Sequence, residues 1–122
     1  MIQQIVSMIV EALLHKKKIR QKEWEDYDHL TRQILGTDTR DLLNTSADEL
    51  IARHADTPDG MEKLELAAVN MLKLAEEVDE DNPLLKSRLR QEGILLLKYI
   101  QQHSNNYSLQ REFLIGLLET NH

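Results

Sequence analysis

The chain of 122 residues contains no cysteine. This absence excludes disulfide bonds, thiolate metal sites and a cysteine nucleophile, and it is compatible with the reducing cytoplasm, where we expect the protein to be located. Glycine and proline number only 4 and 2, which leaves too few turn positions for an all-β fold. Aromatic residues make up 4% of the chain against 41% for all hydrophobic residues, so the sequence predicts an aliphatic core supplemented by methionine.

Long uncharged apolar runs are missing as well. No segment approaches the roughly 18 apolar residues of a membrane span. The N-terminal stretch has no lysine or arginine before Lys16, and Glu11 interrupts its apolar residues. We therefore expect neither a transmembrane helix nor a signal peptide.

The net charge of −6 is distributed unevenly along the chain. Residues 36–82 contain 4 basic and 13 acidic residues, a net of −9, whereas residues 1–35 and 83–122 carry +1 and +2. The chain therefore lacks the broad basic face that attracts nucleic acids and anionic membranes. We expect neither of these as a partner.

The common catalytic motifs are absent too. The sequence has no glycine-rich phosphate loop, no serine flanked by glycines, and no His-x-x-x-His pair. Its acidic run at residues 79–81 lacks the glycine and the distal glutamate of a calcium loop. These absences favour a protein that is not an enzyme and that holds no metal or cofactor.

What the sequence does contain is helical periodicity, which is clearest between Thr57 and His103. Thr57 and Pro58 are suited to begin one helix, and Asn82 and Pro83 are suited to begin the next. Apolar residues recur in both at spacings of three and four, as in amphipathic helices. We place the centre of the core in the second helix, at residues 94–100. Gly93 either admits a close neighbouring helix or is a tolerated glycine without a role.

The opening segment, Ile2 to His15, predicts an amphipathic helix with more apolar surface than one or two neighbours can cover. Exposed apolar patches of this kind mark interaction sites, and two-fold dimers are a common way to cover them. We therefore expect a homodimer with Ile5, Ile9 and Leu13 near the contact. The alternative is that the segments 41–55 and 108–118 of the same chain enclose this helix.

A basic segment follows, in which Lys16, Lys17, Lys18 and Arg20 are candidates for anion binding. One interpretation is a patch for phosphate or anionic lipid. The other is a helix C-terminus, where cations offset the macrodipole, followed by solvated surface. The acidic residues that come directly after it would neutralise the patch locally.

Trp24, Tyr27 and His29 lie on a further helical stretch that Gly36 is suited to end. These residues form a core anchor in one interpretation and line a small-molecule pocket in the other. We favour two helices for residues 2–35, with a break near residues 20–22.

Ser46 and Glu49 match a capping box, and Ser108 caps a last helix. The apolar residues that we expect inside that helix are Leu109, Phe113, Leu114, Leu117 and Leu118.

Two resemblances add to this interpretation. The ten-residue spacing from Pro83 to Gly93, with leucines at flanking helical positions, is similar to the spacing between adjacent tetratricopeptide repeats. The opening segment 2–13 and the segment 106–112 resemble the two ends of an uncharacterised family of small bacterial helical proteins. The resemblance implies a tetratricopeptide-like α-superhelix and implies no activity.

The sequence therefore predicts one all-α domain, residues 1–122, with about six or seven helices arranged as antiparallel hairpins, either in a tetratricopeptide-like α-superhelix or in a compact bundle. The function that we expect is a non-catalytic protein-interaction or scaffold module for a protein partner. The competing hypothesis is a small ligand-binding or enzymatic helical domain whose pocket lies near Trp24, Tyr27 and His29.

Overall fold

The computed structural model describes residues 2–15, 20–78, 81–104 and 108–120, with the side chain of residue 120 excepted. These segments contain helices and no strand, which confirms the all-α class. A short 3₁₀ helix, Thr39–Asn44, lies between the second and third of six α-helices. The α-helices are α1 (Ile2–His15), α2 (Gln21–Leu35), α3 (Ala47–His54), α4 (Gly60–Glu77), α5 (Pro83–His103) and α6 (Leu109–Thr120).

The centre of the core is α4. Every residue from Leu64 to Leu72 is buried, so this helix is covered on its whole circumference. It contacts α1, α2, the 3₁₀ helix, α3 and α5. The prediction that residues 94–100 of α5 form the centre of the core is therefore only partly right. Leu96 and Leu97 are buried, but Leu95 faces solvent.

The hairpin of α4 and α5 follows the signals in the sequence at the start of α5. Asn82 Oδ1 accepts a hydrogen bond from the backbone N–H of Leu85 at 3.4 Å, and Pro83 occupies the first turn. Gly93 confirms the expected close approach. A Cβ atom there would lie 3.0 Å from the side chain of Leu72 and 3.3 Å from the carbonyl oxygen of Ala68. The two helices therefore meet where glycine leaves room.

The start of α4 differs from the prediction. Thr57 and Pro58 form a turn rather than the first residues of the helix, which begins at Gly60 after Asp59 in a left-handed conformation. The Thr57 hydroxyl donates to the carbonyl oxygen of His54 at 2.7 Å and so completes the preceding helix end. Gly60 is required there, because a Cβ atom would lie 2.3 Å from the same carbonyl oxygen.

Two helices, α1 and α2, account for the described part of residues 2–35, as the sequence indicates. Gly36 ends α2 in the left-handed conformation, with φ of 76°, and donates its N–H to the Arg32 carbonyl oxygen at 2.8 Å. Ser46 Oγ caps α3 by accepting the N–H of Glu49 at 3.2 Å. No helix of the described segments is long and apolar enough to cross a lipid bilayer.

The apolar face of α1 lies inside the chain. Ile5 and Ile9 are 1% and 0% exposed in a single copy, because they pack into the core against α4. This corrects the expectation that they form a contact with a second copy. Leu13 is half-buried and lines an internal cavity together with Leu72.

Candidate functional site

The last helix turns its apolar residues in an unexpected direction. Ser108 Oγ caps it as predicted, accepting the N–H of Arg111 at 3.2 Å. Leu114 and Ile115 are buried against the core. Leu109 and Phe113, which we expected inside, are instead 77% and 64% exposed.

The charged side chains of α6 contact α4 and α5, although only Arg111 among them is buried. Arg111 Nε lies 3.0 Å from Glu65 Oε2 on α4. Glu112 accepts a hydrogen bond from Gln101 Nε2 at 3.0 Å, and Glu119 forms an ion pair with Lys98. In an ordinary surface helix the charges lie on the solvent side. Here Arg111 is buried against α4, while Glu112 and Glu119 contact α5 and stay exposed beside the apolar residues.

We call this solvent side the α6 face and define it by Leu109, Phe113 and Leu117. The three residues follow one another at intervals of four, so they lie along one side of the helix. Leu117 is 37% exposed, the lowest exposure of the three. Phe113 is the single phenylalanine of the chain. A continuous apolar stripe of this kind is uncommon on a monomer and is typical of an interaction site.

The ion pair of Glu65 and Arg111 borders a cavity of about 250 Å³ between α1, α4, α5 and α6. Both side chains are nearly buried, at 10% and 9% exposure. Gln3 donates to Glu65 Oε1 at 3.5 Å from the opposite wall. Burial raises the pKa of the Glu65 carboxyl, although the Arg111 guanidinium and the Gln3 hydrogen bond both act to lower it. The lining of the cavity is mixed. Glu62, Ser108 and Gln110 add to its polar part, and its apolar part consists of Val6, Val10, Val69, Leu97 and Leu114.

The basic segment of the sequence lies mostly outside the described residues. Lys16, Lys17 and Lys18 cannot be placed for that reason, and their role in anion binding stays a prediction. Arg20 is exposed and forms an ion pair with Glu23 at 3.4 Å. Part of its charge is therefore already opposed within α2.

Trp24, Tyr27 and His29 do not line any of the cavities described here. Trp24 and Tyr27 are half-buried and pack against the core, which agrees with the core-anchor interpretation. His29 is exposed on α2, with Nε2 3.3 Å from Nε2 of Gln33. The hypothesis of a pocket near these three residues stays a prediction.

Sequence reasoning missed Glu65 and Arg111. Helical periodicity places Glu65 opposite the apolar face of its helix, together with Glu62 and Glu76, and therefore predicts a solvated position. The available signal was weak: Leu64 and Leu66 flank it inside an apolar run. No group of three His, Asp or Glu side chains in the described segments is arranged to hold a metal ion.

Comparisons with protein families, with characterised proteins and with solved structures find no match to this chain.

Proposed function

We propose that this chain is a non-catalytic interaction module that binds a protein partner through the α6 face. The observation that carries the proposal is the exposure of Leu109 and Phe113, at 77% and 64%, on a helix that the buried ion pair of Arg111 and Glu65 holds to the core. Large aromatic and aliphatic side chains of this kind are the usual anchors of protein interfaces. The lack of cysteine suits such a module for the cytoplasm.

The contacts that hold α6 in one orientation support the proposal. The buried ion pair of Arg111 and Glu65 fixes the rotation of α6, because turning the helix would leave the buried Glu65 carboxylate without its counter-charge. The Lys98–Glu119 pair holds the other end of the same helix to α5. The α6 face is therefore presented by a fixed helix rather than by a loop, and binding it requires little ordering of the module.

The experiment compares proteins retained from a native-host extract by immobilised wild type, Phe113→Glu and Leu84→Glu. Leu84 is the matched control because it is a leucine with 84% exposure at the start of α5, away from the α6 face. We expect specific proteins on the wild type and on Leu84→Glu that are lost from Phe113→Glu. An identical set on all three variants would contradict the proposal.

A second candidate function rests on the cavity beside Glu65 and Arg111. A small ligand with a polar group could replace the Gln3 contact and place an apolar portion against Val10 and Leu97. The test is a thermal-shift panel of metabolites, since a ligand that binds the folded state raises the melting temperature. A shift that is present in wild type and absent in Glu65→Gln would favour this function over the interaction module.

A further inference from the structure

We infer that a second cavity, lined by residues of α1, α4, α5 and α6, binds a free α-amino acid with an aliphatic side chain. The cavity has a volume of about 300 Å³, and three of the four helices contribute to it from their last turns. Among its lining residues it shares only Leu114 with the cavity beside Glu65 and Arg111. The inference depends neither on that cavity nor on the α6 face.

The apolar part of this cavity is built from leucines alone. Leu72 of α4 and Leu114 of α6 are each 2% exposed and lie at its inner end, whereas Leu117 is 37% exposed and lies toward solvent. Sites for small ligands are mostly apolar, with a few polar groups that orient the ligand. The cavity therefore suits a ligand that places an aliphatic group inward. Its leucines are Leu13, Leu72, Leu114, Leu117 and Leu118.

Two charged side chains line the same cavity, namely Glu76 of α4 and Arg90 of α5. Glu76 is exposed and Arg90 is half-buried, so both lie nearer to solvent than the inner leucines. Within the described segments neither side chain forms an ion pair or a hydrogen bond, whereas the neighbouring Lys73 and Glu77 pair with each other. The guanidinium is therefore available to an anionic group and the carboxylate to a cationic one.

The helix ends around Glu76 favour a cation beside it. Glu76 lies in the last turn of α4, and Leu117 and Leu118 lie in the last turn of α6. Neither of these last turns contains a basic residue. The unpaired carbonyl groups at a helix C-terminus carry a partial negative charge that a cation offsets. An ammonium group at this position is thus stabilised by the carboxylate and by the helix ends together.

An α-amino acid with an aliphatic side chain matches all three parts of the cavity. Its carboxylate pairs with Arg90, its ammonium group pairs with Glu76, and its side chain lies among the leucines. An alkyl carboxylate or an alkylamine would leave one of the two charges unmatched. The volume is at the lower limit for small-molecule sites. Because a water molecule occupies about 30 Å³, the cavity holds a ligand on the order of ten non-hydrogen atoms, which is close to the size of leucine.

Isothermal titration calorimetry of the full chain tests the inference with three ligands that share one branched alkyl group. They are L-leucine, isocaproate, which lacks the ammonium group, and isopentylamine, which lacks the carboxylate. We expect L-leucine to bind at least about tenfold more tightly than either, since a hydrogen bond to a charged group contributes roughly that factor. The inference is overturned if L-leucine does not bind at millimolar concentration, or if one of the other two binds as tightly.

L-Alanine tests the apolar part of the cavity in the same assay. It keeps both charged groups of L-leucine but has a much shorter side chain. Each buried methylene group contributes about a fourfold factor in affinity. We therefore expect L-alanine to bind at least about tenfold more weakly, and equal affinities would overturn the placement of the side chain among the leucines.

Arg90→Gln and Glu76→Gln test the two ends of the ligand separately. Arg90→Gln should weaken L-leucine and isocaproate and leave isopentylamine unchanged, whereas Glu76→Gln should weaken L-leucine and isopentylamine and leave isocaproate unchanged. Arg88→Gln is the matched control, because Arg88 is also a half-buried cation of α5 and does not line the cavity. Circular dichroism verifies that each variant is folded, and the ligand series on the wild type decides the question if one is not. Equal affinity for L-leucine in all folded variants would overturn the inference.

Phe113→Glu separates this site from the α6 face. Phe113 does not line the cavity, so L-leucine should bind this variant as tightly as it binds the wild type. A loss of binding there would place the amino acid on the α6 face and overturn the inference. The interaction module is tested by protein retention from extract, so either proposal can fail without the other.

Discussion

The guanidinium of Arg111 and the carboxylate of Glu65 meet at 3.0 Å between the last helix and the central helix. Both groups are almost fully removed from solvent, and Gln3 of the first helix contacts the same carboxylate. This contact joins three helices that are distant in sequence. It also determines which side of α6 faces outward, since the apolar stripe lies on the side opposite Arg111.

Replacing one member of this pair should be costly. Arg111→Met leaves the Glu65 carboxylate buried without its counter-charge, and breaking buried pairs in this way costs about 3–5 kcal/mol. Urea unfolding measures the loss. Arg20→Met is the matched control, because the exposed pair with Glu23 should contribute less than about 1 kcal/mol. An equal effect of the two substitutions would contradict a structural role for the buried pair.

The protonation of Glu65 should make part of the stability depend on pH. Burial raises the pKa of this carboxyl above its ordinary value of 4.5, so the folded chain holds the proton to a higher pH than the unfolded chain does. Its contribution to the free energy of unfolding is therefore fully present below pH 4.5 and is lost as pH rises through the folded-state pKa. The unfolding free energy of the wild type minus that of Glu65→Gln should therefore decrease as the pH rises over that range. A difference that grows with pH would show that the Arg111 charge outweighs burial.

Gly93 should not tolerate a large side chain. Leu72 and the backbone of Ala68 occupy the space that a side chain would need, so Gly93→Leu should destabilise the fold by about 1–3 kcal/mol. The exposed helical glycine on α6 provides the control. Gly116→Ala should raise the melting temperature, because alanine is the better helix former by about 1 kcal/mol and nothing lies near its Cβ. A gain in melting temperature for Gly93→Leu would contradict the close packing of α4 on α5.

Two neighbouring leucines of α5 should respond very differently to truncation. Leu96 is 0% exposed, so Leu96→Ala should cost about 2–5 kcal/mol in urea unfolding. Leu95 is 53% exposed and loses far less contact when shortened, so Leu95→Ala should cost under about 1 kcal/mol. Similar losses from both would mean that α5 is rotated relative to the structure described here.

The sequence predicts well the features that depend on a few neighbouring residues. Asn82 and Pro83 begin α5, and Gly36 ends α2 where the pattern places it, because caps and left-handed glycines follow local backbone chemistry. The close approach at Gly93 was also predictable, since an interior helical glycine needs a compensating contact. These signals establish the all-α fold class and most helix ends.

The site could not be predicted in the same way. Periodicity correctly identified Ile5 and Ile9 as one apolar face, but it does not say whether the same chain or a second copy covers that face. For α6 it was right for Leu114 and Leu118 but wrong for Leu109, Phe113 and Leu117. The contact of Arg111 with a carboxylate far away in sequence decides the rotation. Amphipathic patterns describe a helix alone, and the orientation of α6 depends on a tertiary contact.

The complete burial of α4 has a consequence for how the molecule opens. An amide in the middle of α4 can exchange with solvent only when the helices around it separate, so its exchange should report global unfolding. The α6 helix packs mainly on α5 and should open at lower free energy, without disturbing the rest. Hydrogen exchange would then divide the chain into a slow centre at Leu64–Leu72 and a fast last helix.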